Sequence, residues 1–226
     1  MICVILAGGV GKRLQPYTSL LPKPMLPIRN KPILEHLISW LKKYGIHSIL
    51  LCVSYMHETI KKYFGNGNRF GVHIKYITSH KPLLTAGQLS TARKFIDNKF
   101  LCIYSDVIYN FNLQNMILQH DKKNSFTTIA IHKYKFNFDY GIINTNKMGQ
   151  VISWIEKPII TKNIHIGCMI FEKNIFNFIP DEPCEINTVI TNLLNNNKQV
   201  DSFVVRNKFY DIGNAKQYEY ISKIFT

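Results

Sequence analysis

The chain has 226 residues, of which 46% are hydrophobic, and 28 lysines and arginines against 14 aspartates and glutamates give it a net charge of +14. This length fits one α/β domain with a sizeable core. The five cysteines are widely spaced and odd in number, which excludes a disulfide framework and a Cys-x-x-Cys metal pair, so we expect buried thiols and a reducing cytoplasm.

The apolar and basic residues allow two further expectations about partners. No basic segment precedes the apolar residues 1–7 and no apolar run is long enough to cross a bilayer, so we expect neither a signal peptide nor a membrane partner. The positive charge keeps a nucleic-acid binder open as a reading. However, the cations are scattered and no arginine-rich run with interleaved aromatic residues occurs, so we predict no nucleic-acid partner. A basic field attracts nucleoside triphosphates and sugar phosphates equally well.

The first predicted element is a buried strand over residues 1–7 that stops at a glycine loop. Glycines after a strand let the backbone approach a ligand closely, and their N–H groups form a concavity for anionic oxygens. Three cations follow these glycines: the loop contains Gly8, Gly9 and Gly11, then Lys12, Arg13 and Lys23. The pattern fits neither the dinucleotide fingerprint nor the P-loop. We interpret it as a triphosphate cradle, the alternative being a purely structural glycine loop.

Strands and helices then alternate, with helices predicted over 32–44, 57–64 and about 86–96 and strands over 48–54, 71–77 and 100–104. This alternation predicts an α/β fold with a Rossmann-like, mostly parallel sheet and helices on both faces. Such sheets bind ligands beyond the carboxyl ends of their strands, where the glycine loop and Asp106 both lie. Asp106 could instead cap a helix, although Asn110 and Asn112 are available for that.

From residue 125 the pattern changes to a more antiparallel one. Strands are predicted over 125–133, 140–145, 151–155, 164–171, 200–205 and 209–210, and helices over 173–179, about 186–195 and after Asn214, which forms a capping box with Gln217. We therefore expect one domain, 1–226, with a first lobe (1–124) that carries the triphosphate cradle and a smaller mixed or antiparallel lobe (125–226) that ends in a closing helix.

Asp211 follows the last short strand, as Asp106 follows an earlier one. Mg²⁺ typically takes one or two carboxylates together with phosphate oxygens and water, so we predict that this pair holds Mg²⁺. The alternative for Asp211 is a turn residue before Gly213.

Residues 6–28 read L-A-G-G-x-G-x-R-L-x-P-x-T-x-x-x-P-K-P-M-x-P-I and resemble the signature of the sugar-1-phosphate nucleotidyltransferases. The resemblance extends from Ile2 to Tyr218. It implies a cytoplasmic enzyme that joins a nucleoside triphosphate to a sugar 1-phosphate with Mg²⁺ and releases pyrophosphate. GTP and a mannose- or heptose-type phosphate are favoured. The alternatives are thymidylyl, uridylyl or cytidylyl transfer to another phosphorylated compound, or a non-catalytic regulatory subunit that binds nucleotide sugars. A homodimer is left open.

The resemblance also implies that 1–124 is the nucleotide-binding lobe and 125–226 the sugar-phosphate-binding lobe, and it implies roles for particular residues. Arg13, Lys23 and Asp106 are then catalytic, and Asp106 and Asp211, the latter in Y-D-I-G, hold the metal. The implied nucleotide contacts are Leu6, Ala7, Gly8, Gly9, Gly11, Lys12, Arg13, Lys23 and Thr85-Ala86-Gly87. The implied sugar-phosphate contacts are Tyr140, Gly141, Glu156 and Lys157 of E-K-P, and His165. Glu156 and Lys157 could instead be a solvated strand end.

The chain departs from the family pattern at two positions. Leu84 replaces the first glycine of L-G-T-A-G, and His165 lies in I-H-I-G where the family has I-N-A-G. A neutral histidine offers one donor and one acceptor, fewer groups than an amide. We therefore expect an altered acceptor pocket, the alternative being sequence drift without functional effect.

Overall fold

The computed structural model describes residues 1–225 and is built around a seven-stranded sheet. The strands are β1 (Ile2–Ala7), β2 (Pro27–Ile28), β3 (Lys31–Pro32), β4 (Ser48–Val53), β5 (His73–Thr78), β6 (Phe100–Tyr104), β7 (Val107–Ile108), β8 (Thr127–Asn137), β9 (Ile142–Thr145), β10 (Val151–Ile155), β11 (Ile159–Phe171), β12 (Val200–Val205) and β13 (Tyr210–Asp211). The helices are α1 (Ile33–Lys43), α2 (His57–Phe64), α3 (Leu84–Ser90), α4 (Leu113–Lys123), α5 (Ile186–Asn195) and α6 (Ala215–Ile224).

The central sheet is mostly parallel. β1 pairs in parallel with β4 and β6, β4 with β5, and β12 with β8, whereas β11 runs antiparallel to both β6 and β8. Strands from both halves of the chain therefore belong to one sheet. The predicted α/β fold class, with a mostly parallel sheet, is confirmed.

Helices cover both faces of the sheet. Successive side chains of a strand point to opposite sides, so a strand that is apolar throughout needs packing partners on each face. In β1, Cys3 and Ile5 pack into one buried cluster with residues of α1 and α2, while Val4 and Leu6 pack into another with residues of α3 and α5. All five cysteines are free and buried, as predicted. No helix in residues 1–225 is both long enough and apolar enough to span a membrane.

Two small antiparallel units lie outside the central sheet. β9 and β10 form a hairpin whose strands pair only with each other. β7 pairs with β13, which brings the segment after residue 209 back to the segment after β6. The final helix α6 is fixed by its predicted cap, since the Asn214 side chain accepts a hydrogen bond from the Gln217 amide at 3.0 Å.

Several element boundaries differ from prediction. β11 begins at Ile159 rather than 164, because its exposed first half pairs with the equally exposed outer half of β8. The helix predicted over 86–96 is α3 followed by a separate 3₁₀ turn, Arg93–Phe95. The helix predicted over 173–179 is a 3₁₀ helix, Lys173–Phe178. The carboxyl ends of β1 and β6 nevertheless lie side by side, as the alternation of strands and helices in the sequence predicted.

Candidate active site

A cleft of about 340 Å³ opens beyond the carboxyl ends of β1 and β6. The glycine loop follows β1 and Asp106 follows β6, and because these strands are hydrogen-bonded neighbours, the two segments meet at one edge of the sheet. The residues that line this cleft are Leu6, Gly8, Gly9, Gly11, Lys12, Arg13, Lys23, Pro24, Thr85, Gln88, Tyr104, Ser105, Asp106 and Gly213. The structure thus gathers most of the predicted nucleotide contacts around one space.

Three short 3₁₀ turns shape the loop that carries the cations. Gly11 has a φ of 71°, a left-handed conformation that favours glycine, and the turn Lys12–Leu14 begins directly after it. The Thr18 hydroxyl donates to the Gly11 carbonyl at 2.9 Å and so ties the second turn to the first. The third turn, Lys23–Met25, carries Lys23 to the cleft.

Lys23 forms the central ion pair of the site. Its Nζ donates to Asp106 Oδ2, although Lys23 is only 9% exposed. A lysine is rarely buried without a partner, and Asp106 supplies that partner. The two partners lie 83 positions apart in the chain, so the pair is a tertiary contact.

Asp211 lies beside Asp106. The β13–β7 pairing places Asp211 opposite Val107, and the Ile212 amide donates to the Asp106 carbonyl at 2.9 Å. Although water reaches Asp211, desolvation by the surrounding protein raises the pKa of its carboxyl, and repulsion from Asp106 raises it further. Lys23 and Arg13 act in the opposite direction. The protein thus brings two carboxylates together with two cations.

The donor set of this cluster fits Mg²⁺. A magnesium site in a phosphate-transferring enzyme uses one or two carboxylates, and phosphate oxygens and water complete its octahedron. In the part of the chain that the structure describes, no group of three or more His, Cys, Asp or Glu side chains gathers around a possible metal position. The remaining ligands of an ion held by Asp106 and Asp211 would therefore come from the phosphates and from water.

A second, larger cleft of about 780 Å³ adjoins the first and shares Arg13, Tyr104 and Asp106 with it. Its lining also includes Asp211 and His165, together with the aromatic side chains His132, Tyr134, Phe136, Phe209, Tyr210 and Tyr220. Acidic and basic side chains therefore lie where the two clefts meet. This arrangement is suited to bring two phosphorylated molecules together, one from each cleft.

His165 lies in the larger cleft, where its ring packs edge-on against Tyr104 with centroids 5.6 Å apart. The residue is exposed at the cleft surface, yet the protein surrounds the ring closely enough that desolvation lowers its pKa. The imidazole is therefore neutral at pH 7 and offers hydrogen bonds rather than charge to a ligand.

Some predicted site residues lie elsewhere. Ala7 is buried, as are Ala86 and Gly87, whose amides donate to the Cys184 carbonyl at 2.8 and 3.2 Å. The four predicted sugar contacts in and beside the β9–β10 hairpin line neither cleft: these are Tyr140, Gly141, Glu156 and Lys157. In the hairpin, Glu156 Oε2 accepts a hydrogen bond from Trp154 Nε1 at 3.0 Å. Their roles stay predictions.

Several residues that line the clefts were not predicted as site residues from the sequence, and two of them lie close to predicted ones in the chain. Tyr104, the last residue of β6, lines both clefts, and Gln88 of α3 lines the smaller one. Tyr104 lies two positions before the predicted Asp106, so its position at a strand end was a usable signal. Gln88 could not be found in this way, because it contacts the glycine loop only in the folded chain and follows no predicted strand end.

Comparison with models of protein families matches residues 2–226 to the family described as nucleotidyl transferase. The chain belongs to this family. The resemblance that we drew from the motifs, and the prediction that the chain belongs to an enzyme family of this type, are both confirmed.

Curated relatives of this nucleotidyl transferase chain differ in their substrates. The D-glycero-alpha-D-manno-heptose 1-phosphate guanylyltransferase of Campylobacter jejuni is 36% identical over 179 residues, which cover 78% of each protein. The catalytic subunit beta of mannose-1-phosphate guanylyltransferase from Xenopus tropicalis is 31% identical over 225 residues, 96% of this chain and 62% of the relative. The UTP–glucose-1-phosphate uridylyltransferase of Synechocystis is 32% identical over 198 residues, 80% of this chain and 51% of the relative. The chain therefore spans about half the length of that uridylyltransferase.

Solved structures agree with the fold of this nucleotidyl transferase chain. The HddC protein of Yersinia pseudotuberculosis, solved with GMP-PN, is 28% identical with a TM-score of 0.78, and the match covers 100% of this chain and 99% of that one. A putative glucose-1-phosphate thymidylyltransferase from Bacillus anthracis has a TM-score of 0.81 at 20% identity, covering 99% and 95%. Since guanylyl, uridylyl and thymidylyl proteins all match, family membership does not by itself specify the nucleotide.

Proposed function

We propose that this nucleotidyl transferase joins a nucleoside triphosphate, with GTP favoured, to a mannose- or heptose-type sugar 1-phosphate. The products are a nucleoside diphosphate sugar, for glycan biosynthesis, and pyrophosphate. The observation that carries the proposal is the cluster of Lys23, Asp106 and Asp211 close to the place where the two clefts adjoin.

In the proposed reaction, a phosphate oxygen of the sugar 1-phosphate attacks the α-phosphorus of the triphosphate. The bond from that phosphorus to the α,β-bridging oxygen breaks, and the bridging oxygen leaves with its electron pair as part of pyrophosphate. No proton transfer is required of the nucleophile, because it is already an anion. Reactions of this kind depend chiefly on positioning and on neutralising charge.

The residues of the smaller cleft suit the triphosphate. The glycine loop offers backbone N–H groups, while Lys12 and Arg13 are exposed cations that line the cleft. Lys23 is held by Asp106 and is therefore fixed in place, which makes it the best-oriented cation for the reacting α-phosphate. Mg²⁺ held by Asp106 and Asp211 would supply further charge neutralisation to the phosphates.

The larger cleft suits the acceptor. Arg13 lies in both linings and so offers its guanidinium to phosphates from either side. Aromatic side chains and the neutral His165 form much of the remaining wall. We assign the sugar ring to this cleft and retain Tyr140, Gly141, Glu156 and Lys157 as sugar-phosphate contacts made by the neighbouring hairpin.

GTP and a mannose- or heptose-type acceptor are favoured because a relative that matches over 78% of both proteins and one that matches over 96% of this chain bear those names. Uridylyl transfer to glucose 1-phosphate is the second candidate, since the Synechocystis uridylyltransferase is 32% identical to this chain. A reducing cytoplasm, where the five free cysteines stay reduced, is the proposed location.

Pyrophosphate release from a panel of triphosphates, each offered with a panel of sugar 1-phosphates and Mg²⁺, tests this function. We expect release to require both substrates and to be fastest for GTP with mannose or heptose 1-phosphate. Tight binding of a nucleotide sugar without release from any pair would favour a regulatory subunit instead.

A further inference from the structure

Gln88 lies against the glycine loop, and its side-chain amide fills the space beside Gly8. Its Oε1 accepts a hydrogen bond from the Gly8 amide at 3.3 Å. A Cβ added at Gly8 would lie only 1.8 Å from Gln88 Nε2, so the amide occupies the space where a side chain would project. Gly8 does not have a positive φ, so a larger residue there would strain no backbone angle but would have to displace the Gln88 amide.

The helix that carries Gln88 is held firmly. The amides of Ala86 and Gly87 donate to the Cys184 carbonyl, and the Cys184 amide donates back to the Leu83 carbonyl at 3.2 Å. The Thr85 hydroxyl donates to Glu185 Oε2 at 2.6 Å. The start of α3 is therefore fixed to the segment before α5, and the position of Gln88 relative to the cleft is preorganised.

The hydrogen bond to Gly8 fixes the orientation of the Gln88 amide. A backbone N–H is a donor, so the atom that faces it is the amide oxygen, which leaves the two Nε2 donors available to the cleft. The cations of the same cleft already supply charge for phosphate. An uncharged, oriented N–H donor is instead suited to an acceptor on the nucleoside.

We propose that Gln88 reads the nucleobase by donating from Nε2 to a carbonyl oxygen on its edge. Guanine and uracil present such oxygens, O6 and O4, where adenine and cytosine present amino donors. Gln88 therefore selects keto bases over amino bases. This inference rests on the proposed function and deepens it, because it names a residue that chooses the triphosphate.

Two variants of Gln88 test whether it donates a hydrogen bond to the base. Gln88→Met keeps the length of the side chain and removes both donors. Gln88→Glu keeps an acceptor for the Gly8 amide and replaces the Nε2 donors by an acceptor, which suits an amino base. Gln119→Glu is the matched control, because Gln119 is half-buried, lines neither cleft and donates to the Ser202 carbonyl at 2.9 Å.

The measured quantity is the ratio of kcat/KM for GTP and UTP to that for ATP and CTP, with one acceptor throughout. We expect the wild type to prefer the keto bases and Gln88→Met to reduce that preference by roughly 10- to 100-fold. Gln88→Glu should shift it further towards the amino bases, and Gln119→Glu should leave it unchanged. A merely structural role would lower activity without changing the ratio.

Three outcomes are distinguishable. An active wild type whose base preference is the same in all variants overturns the inference and leaves the proposed function intact. Equal improvement of KM for every triphosphate in Gln88→Met also overturns it, since Gln88 would then only obstruct the Gly8 amide. An inactive wild type that fails with every triphosphate and acceptor contradicts the proposed function itself, and binding of GTP against ATP by calorimetry then decides the inference. If Gln88→Glu fails to fold, as judged by circular dichroism, Gln88→Met carries the test.

Discussion

Replacing Lys23 by methionine removes the cation of the central ion pair and keeps most of the side-chain volume. Lys23 is 9% exposed, and its partner Asp106 has 25% of its side chain exposed. Breaking a fully buried pair costs about 3–5 kcal/mol, because one charge is left without a partner. Since water reaches Asp106, we expect a smaller loss of unfolding free energy, about 1–3 kcal/mol.

The effect of Lys23→Met on turnover should be larger than its effect on stability. The variant leaves Asp106 and Asp211 facing the phosphates with one cation fewer, and removal of a single oriented stabilising group lowers kcat by roughly 10²- to 10³-fold. Pyrophosphate release at saturating substrate gives kcat, and denaturant unfolding gives the stability.

Lys123→Met is the matched control for Lys23→Met. Lys123 pairs with Asp201 at 2.6 Å, and 48% of the lysine side chain but only 14% of the aspartate side chain is exposed. Neither residue lines a cleft, so this variant should lose stability through the broken ion pair and yet keep its turnover. A Lys23→Met protein with the turnover number of the wild type would refute the role that we assign to this lysine.

Three further predictions follow from single side chains. His165→Asn should change the ranking of sugar 1-phosphates by kcat/KM and leave the KM of the triphosphate nearly unchanged. Identical rankings in the wild type and the variant would show that His165 does not contribute to the choice of acceptor. Leu84 has a φ of 60°, a conformation that strains a residue with a side chain. The free energy of unfolding of Leu84→Gly should therefore match or exceed that of the wild type, while that of Leu84→Val should be lower by about 1 kcal/mol or more. The reverse order would show that Leu84 is not strained. Lys123, Ser125 and Gln199 lower the pKa of Asp201 to about 2, so the stability that this carboxylate contributes is present above the ordinary pKa of about 4 and is lost as the pH falls to about 2. The destabilisation caused by Asp201→Asn, measured by denaturant unfolding, should therefore disappear over that acid range, and a constant difference between pH 7 and pH 2 would count against it.

Elements with strong local signals were predicted from the sequence. The strands Phe100–Tyr104 and Val151–Ile155 and the helix His57–Phe64 have the predicted bounds, because apolar periodicity and a terminal glycine or turn mark them. The first half of β11 was missed, since residues 159–163 carry no buried stripe and become a strand only by pairing with β8. Local patterns do not encode such a partner.

The candidate site was predictable to the extent that its motifs are local. The glycine loop and the aspartates at strand ends could be found in the sequence, and the parallel alternation indicated that their strand ends share one edge. The contact between Gly8 and Gln88 joins residues 80 positions apart and leaves no local pattern. The same holds for the pairing of β13 with β7, which helps to bring Asp211 beside Asp106.

The central claim is that Asp106 and Asp211 together support nucleotidyl transfer. Its most direct test follows pyrophosphate and nucleotide sugar over time in the presence of Mg²⁺ for the wild type, Asp106→Asn and Asp211→Asn. We expect the wild type to form the two products in equal amounts. Each variant should keep its circular dichroism spectrum and lose turnover by orders of magnitude, because a neutral amide replaces a charge that a metal ion requires. Folded variants that both release pyrophosphate at the rate of the wild type would contradict the account.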